Sequence, residues 1–112
     1  MAVRSKLDLV KAVMIEGGWL AAGETPSADD SLIIENAYDE RIGELRTDGL
    51  ASWPADEIPL DVFRALVKLM ANVMAPAFGK TYDPAVEEYC RRMMRRVTAK
   101  RRSGDPTPME SI

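Results

Sequence analysis

EIPLDVFRALVKLMANVMAPAFGKTYDP, running from Glu57 to Pro84, is the most apolar part of an otherwise well-charged chain. Its prolines divide it. Pro59 fits the first position of a helix, where a missing N–H costs nothing, and Asp61 places a carboxylate in that first turn. Pro76 ends the helix, and Asp83-Pro84 starts another, with aspartate as cap and proline in the first turn. The spacing therefore predicts a helix from about Leu60 to Ala75. Leu60, Val62, Phe63, Leu66, Val67, Leu69, Met70, Val73 and Met74 surround its axis; only Asp61, Arg64, Lys68 and Asn72 are strongly polar. A helix apolar on nearly all sides belongs at the centre of a bundle or inside an assembly.

Upstream, Ser5 followed three residues later by Asp8 resembles a capping box, with aspartate in place of glutamate. Leu7, Val10 and Met14, with Leu9 and Val13, then recur at helical spacing until Gly17-Gly18. Trp19 and Leu20 are expected to fold back on the core. A loop punctuated by Gly23 and Pro26 leads to Ser27, a cap for a second helix to about Thr47. Ile34, Tyr38, Ile42 and Leu45 form its apolar stripe. Glu35, Asp39, Glu40 and Glu44 make its other side acidic.

Downstream of Pro84, a fourth helix carries Val86, Tyr89, Cys90, Met93, Met94 and Val97 as its apolar stripe. Arg91, Arg92, Arg95, Arg96, Lys100, Arg101 and Arg102 recur on two adjacent rows beside it. After Arg102 the chain reads SGDPTPMESI, a composition that cannot bury itself. The expected fold is all-α: a compact bundle of four main helices over residues 1–102, with a flexible tail over 103–112.

The 112 residues fit one domain with a thin core. No run of 18 apolar residues is present, so no membrane partner is expected. One cysteine, Cys90, excludes an intrachain disulfide and points to a reducing compartment. Net charge is −3, but its placement matters more. Residues 1–90 hold 8 basic and 16 acidic residues, while residues 91–112 hold 7 and 2. That polarity steers one copy toward another, or toward an acidic partner.

No residue set predicts catalysis. Without histidine the chain lacks the commonest general base, and Cys90 on an apolar stripe reads as buried and inert. FGKT at 78–81 lacks the earlier glycine and the preceding strand of a phosphate loop. No metal site or cofactor is expected, and the chain reads as a non-enzyme. Three readings stay open for the basic helix: a solvated face, a surface for an acidic protein (including the second helix of a neighbouring copy), or a nucleic-acid backbone contact. Trp53, in the proline-bounded loop ASWPADEIP, either plugs the bundle end or anchors a subunit contact.

LDLVKAVMIEGGWLAAGETPSADD, then ELRTDGLASWPADEIP, then FRALVKLMANVMAPAFGK resemble the small head–tail adaptor proteins of tailed bacteriophages. These are head-completion or packaged-DNA-stabilising proteins, found also in prophages and gene-transfer particles. The similarity spans roughly residues 5–97. It implies an α-helical bundle that forms a ring of about twelve copies beneath the portal. Such a ring seals the packaged DNA, which passes through its channel, and offers a platform for tail or stopper proteins. The location implied is the virion head–tail interface, with the host cytoplasm during assembly. On this reading the seven basic residues of the fourth helix are candidate portal or subunit contacts. Glu35, Asp39, Glu40, Glu44 and Trp53 are candidate contacts between subunits. The alternative is a small helical nucleic-acid-binding phage protein, of the regulator or terminase small-subunit type.

Overall fold

Helix α3, Leu60–Met74, is the strut on which the other helices pack. Val62, Leu66, Val67, Leu69, Met70, Ala71 and Met74 are all buried, so the helix is covered on most sides. The computed structural model describes the backbone of residues 2–104 and the side chains of residues 2–100. Of the tail expected over 103–112, residues 105–112 lie outside the described residues, whereas the backbone of Ser103 and Gly104 is helical. Helix α1 spans Lys6–Glu16, α2 spans Ala28–Thr47 and α4 spans Pro84–Gly104. The all-α fold with four main helices is as expected. Among the described residues, no helix is long and apolar enough to cross a membrane.

Local chemistry sets the ends. The Ser5 hydroxyl accepts from Asp8 N at 3.1 Å and the Asp8 carboxylate accepts from Ser5 N at 3.2 Å, completing the capping box. Ser27 caps α2 with its hydroxyl alone, which accepts from Asp30 N at 3.1 Å. At the end of α1, Gly18 takes φ 79°, and Trp19 N donates to Met14 O at 2.8 Å while Gly18 N donates to Ile15 O. This pair of bonds satisfies carbonyls that the last turn leaves open. After α3 the chain tightens into a 3-10 turn, Ala75–Phe78, because Pro76 cannot supply the next helical N–H.

Three expectations need correction. Leu7 and Leu60 are 54% and 46% exposed, so α1 buries Leu9, Val10, Val13 and Met14 alone, and α3 begins outside the core. Pro59 is the N-cap of α3 and not its first residue. It also closes a two-residue strand: β1, Val3–Arg4, pairs antiparallel with β2, Ile58–Pro59. This pairing pins the amino-terminal segment to the start of α3.

The core joins Leu9, Val13 and Met14 of α1 to Ile34, Tyr38, Ile42 and Leu45 of α2 across α3, and Cys90 and Met94 of α4 close it. Each fully buried aliphatic side chain contributes roughly 1.5–3 kcal/mol by leaving water. Trp19 folds back as expected and stacks on Phe78, with centroids 4.5 Å apart and planes at 21°. Gly17 permits this, because a Cβ there would lie 2.4 Å from the Trp19 ring.

Candidate interaction surface

Helix α4 is placed by a clasp at its start. The side-chain amide of buried Asn72, on α3, donates to Asp83 O at 2.8 Å and its oxygen accepts from Asp83 N at 2.9 Å. The Asp83 carboxylate then accepts from Ala85 N, giving the cap that the Asp-Pro pair predicts. From there α4 lies along α3, burying Cys90 and Met94. Burial pushes the Cys90 thiol above its ordinary range, in keeping with an inert core sulfur.

The next turn holds a charge network that joins α4 to α2. Glu87 accepts from Arg41 Nη1 at 2.9 Å, from Arg91 Nε at 3.0 Å and from the Tyr82 hydroxyl at 2.5 Å. Arg91 Nη1 donates to the Asp48 carboxylate at 2.8 Å. Burial pushes the Glu87 carboxyl up, but hydrogen bonds from Tyr82 and Arg91 and the charge of Arg41 hold it below its ordinary value. The Asp48 carboxylate, with Glu87, raises the Arg91 guanidinium above its ordinary value against the effect of burial. Bonding to Glu87 raises the Tyr82 hydroxyl.

The candidate residues therefore divide. Arg91 is half-buried and engaged within the chain by Glu87 and Asp48. Arg95 pairs with Glu88 at 2.9 Å, both ends exposed, a contact worth little in water. Arg92 makes no ion pair among the described residues, and Arg96 reaches only the Met93 sulfur, at 3.9 Å. Lys100 is exposed. The side chains of Arg101 and Arg102 lie outside the described residues. On α2, Asp39 pairs with Lys6 at 3.0 Å and Glu44 stands 3.7 Å from Arg41. Glu40 is exposed and Glu35 half-buried, neither with an ion pair among the described residues.

Trp53 is a core residue, 5% exposed, and so takes the plug position of its two sequence readings. Its Nε1 donates to the Tyr38 hydroxyl at 3.3 Å, which donates to Ala55 O at 2.8 Å. Arg46 donates to Trp53 O. With its ring and its carbonyl both engaged inside the chain, Trp53 leaves the candidate contact surface.

The network that joins Arg41, Asp48, Tyr82, Glu87 and Arg91 went unnoticed in the sequence, where Asp48 and Glu87 read only as helix-end residues. The available signal is Arg41 itself, a cation next to Ile42 in the apolar stripe of α2. Tyr89, assigned to the buried stripe of α4, is 49% exposed. It borders a groove between α3 and α4, where Ala65, Met93 and Val97 form an apolar lining with Arg64 and Lys68 beside them. Among the described residues no group of acidic and cysteine side chains converges as a metal site. Compared with protein-family models, curated protein sequences and solved structures, the chain matches none.

Proposed function

We propose that this chain is a structural subunit of a head–tail adaptor ring, which sits beneath a portal, seals packaged DNA and presents a platform for tail or stopper proteins. The resemblance of residues 5–97, roughly, motivates the reading. The observation that carries it is the division of α4 into a fastened face, with Cys90, Arg91 and Met94, and an outward face, with Arg92 and Arg96. Among the described residues the last fully buried side chain is Met94, with Val97 still packed against the core, and the backbone stays helical to Gly104. The outward arginines, Arg92 and Arg96, suit an acidic protein surface.

The test is to mix purified portal with the full chain and image the product by electron microscopy. The adaptor reading expects an added ring on the portal. No added ring, together with retardation of free DNA that weakens log-linearly with salt, would replace it with the nucleic-acid reading. Arg92→Glu with Arg96→Glu is expected to block ring addition while helicity is kept.

A further inference from the structure

Two surfaces of this chain complement each other but are not in contact within it. The first is the groove between α3 and α4. Its cavity of about 200 Å³ is lined by Ala65, Met93 and Val97, with Arg64, Lys68 and Tyr89 beside them. Among the described residues of the lining, Asp61 is the one acid. Arg92 and Arg96 stand on the outer side of α4, a quarter to a third of a turn from the row Tyr89, Met93, Val97. Arg64, Arg92 and Arg96 make no ion pair among the described residues.

The second surface is the outward face of α2. Ile34, Tyr38 and Leu45 point inward, so helical spacing turns Leu32, Ile33, Asn36, Glu40 and Gly43 outward. Leu32 and Ile33 are 58% and 47% exposed, two large aliphatic groups on one turn. Glu40 and Glu44 follow about two and three turns on from Ile33, both exposed. An amphipathic helix with an aliphatic turn and an acidic flank matches an apolar groove with basic shoulders. The volume suffices, since a cavity of ~150 Å³ accepts a benzene-sized group.

We propose that the α3–α4 groove seats a second copy of this chain. The neighbour lays the Leu32–Ile33 turn of its α2 over Ala65, Met93 and Val97, with Glu40 and Glu44 beside Arg64 and Arg96. The two surfaces differ, so the contact is heterologous and continues from copy to copy until it closes. It names the neighbour within the ring proposed above and rests on that reading only for the assembly it serves.

The experiment uses the full chain alone, by sedimentation equilibrium over a concentration series, with circular dichroism to confirm helicity. Wild type is expected to self-associate, more weakly as salt rises. The groove variant, Arg64→Glu with Arg96→Glu, and the helix variant, Glu40→Lys with Glu44→Lys, each associate at least about tenfold more weakly alone. An equimolar mixture of the two restores association, because opposite charges then face each other at every contact. Leu32→Ser with Ile33→Ser weakens association without changing its salt dependence. A wild type that stays monomeric at every concentration overturns the proposal, as do reversed variants that associate like wild type or a mixture no stronger than its parts. Ring addition to portal is scored separately. If it survives in both reversed variants, the groove contact falls and the adaptor reading stands; if wild type self-associates but never joins portal, the reverse holds.

Discussion

Arg91 Nη1 lies 2.8 Å from the Asp48 carboxylate, so the basic helix α4 is fastened by its second turn to the end of the acidic helix α2 of the same chain. The Arg91 and Glu87 side chains are 17% and 15% exposed, which removes most of the solvent screening that makes surface pairs weak. Removing one partner of such a pair strands the other's charge, and that cost exceeds whatever the intact pair contributed. Charge reversal at Arg91 therefore tests the fold, whereas reversal one residue on tests the surface. Arg91→Glu is expected to destabilise by about 2–4 kcal/mol, since it sets three carboxylates together. Arg92→Glu is expected to stay within about 0.5 kcal/mol of wild type. Urea unfolding checks both, read as a change of midpoint at constant slope.

Glu87 makes acid stability the second prediction. Its carboxyl is held below the ordinary value of 4.5, so the folded state favours the charged form. That contribution is complete above the ordinary value and is lost as pH falls below it, through the native value. Glu87→Gln is expected to unfold more easily at neutral pH, by about 1–3 kcal/mol, because Arg41 and Arg91 lose their shared acceptor charge. It is also expected to lose less further stability than wild type as the pH is taken from about 5 to about 3. Parallel slopes for the two proteins over that interval would exclude Glu87 as the titrating group.

The pattern of what the sequence revealed follows from separation along the chain. The Ser5–Asp8 box, the Ser27 cap and the Asp-Pro start of α4 are interactions between residues a turn apart, so residue type and spacing suffice to find them. The all-round apolarity of α3 is also local, and it placed that helix correctly at the centre. Arg41 and Glu87 are 46 residues apart, and Arg91 and Asp48 are 43 apart; a one-dimensional pattern holds no trace of either meeting. Leu7, Leu60 and Tyr89 failed for another reason. Leu7 and Leu60 lie in the first turns of their helices and Tyr89 on the edge of the α4 stripe, where packing leaves them half uncovered, and coverage is a tertiary property. The β1–β2 pair is only two residues long, too short to show any alternation.

Trp53 and Tyr38 provide a third prediction, because they share one proton chain: indole to phenol, phenol to the Ala55 carbonyl. Tyr38→Phe keeps the ring in place but leaves a buried indole N–H and a carbonyl without their partner. The expected loss is about 1–3 kcal/mol. Trp53→Ala removes the plug itself and costs about 3–5 kcal/mol through the cavity left among core residues. Trp53→Phe with Tyr38→Phe removes donor and acceptor together, and is expected to cost less than Trp53→Phe and Tyr38→Phe made singly and added. Additive losses in that cycle would mean that the two side chains contribute independently.

Two glycines, both at ordinary helical or near-helical positions, are expected to respond to alanine with opposite sign. Gly17 has φ −76°, which alanine adopts without strain, so backbone conformation is not the obstacle. The obstacle is the Trp19 ring, whose Cε3 and Cζ3 would each lie 2.4 Å from the new Cβ. The ring must move, and it is stacked on Phe78 with Lys80 Nζ 5.7 Å from its centroid. Gly17→Ala is expected to cost about 1–3 kcal/mol and to change the tryptophan fluorescence of the native state. Gly43 lies within α2, exposed, with nothing within 4 Å of an added Cβ. There the only effect is on the chain's freedom, and Gly43→Ala is expected to raise stability by about 0.5–1 kcal/mol. Thermal or urea unfolding of the two variants side by side separates the steric effect from the entropic one, and a loss of stability at Gly43 would show that α2 is packed on its outward side.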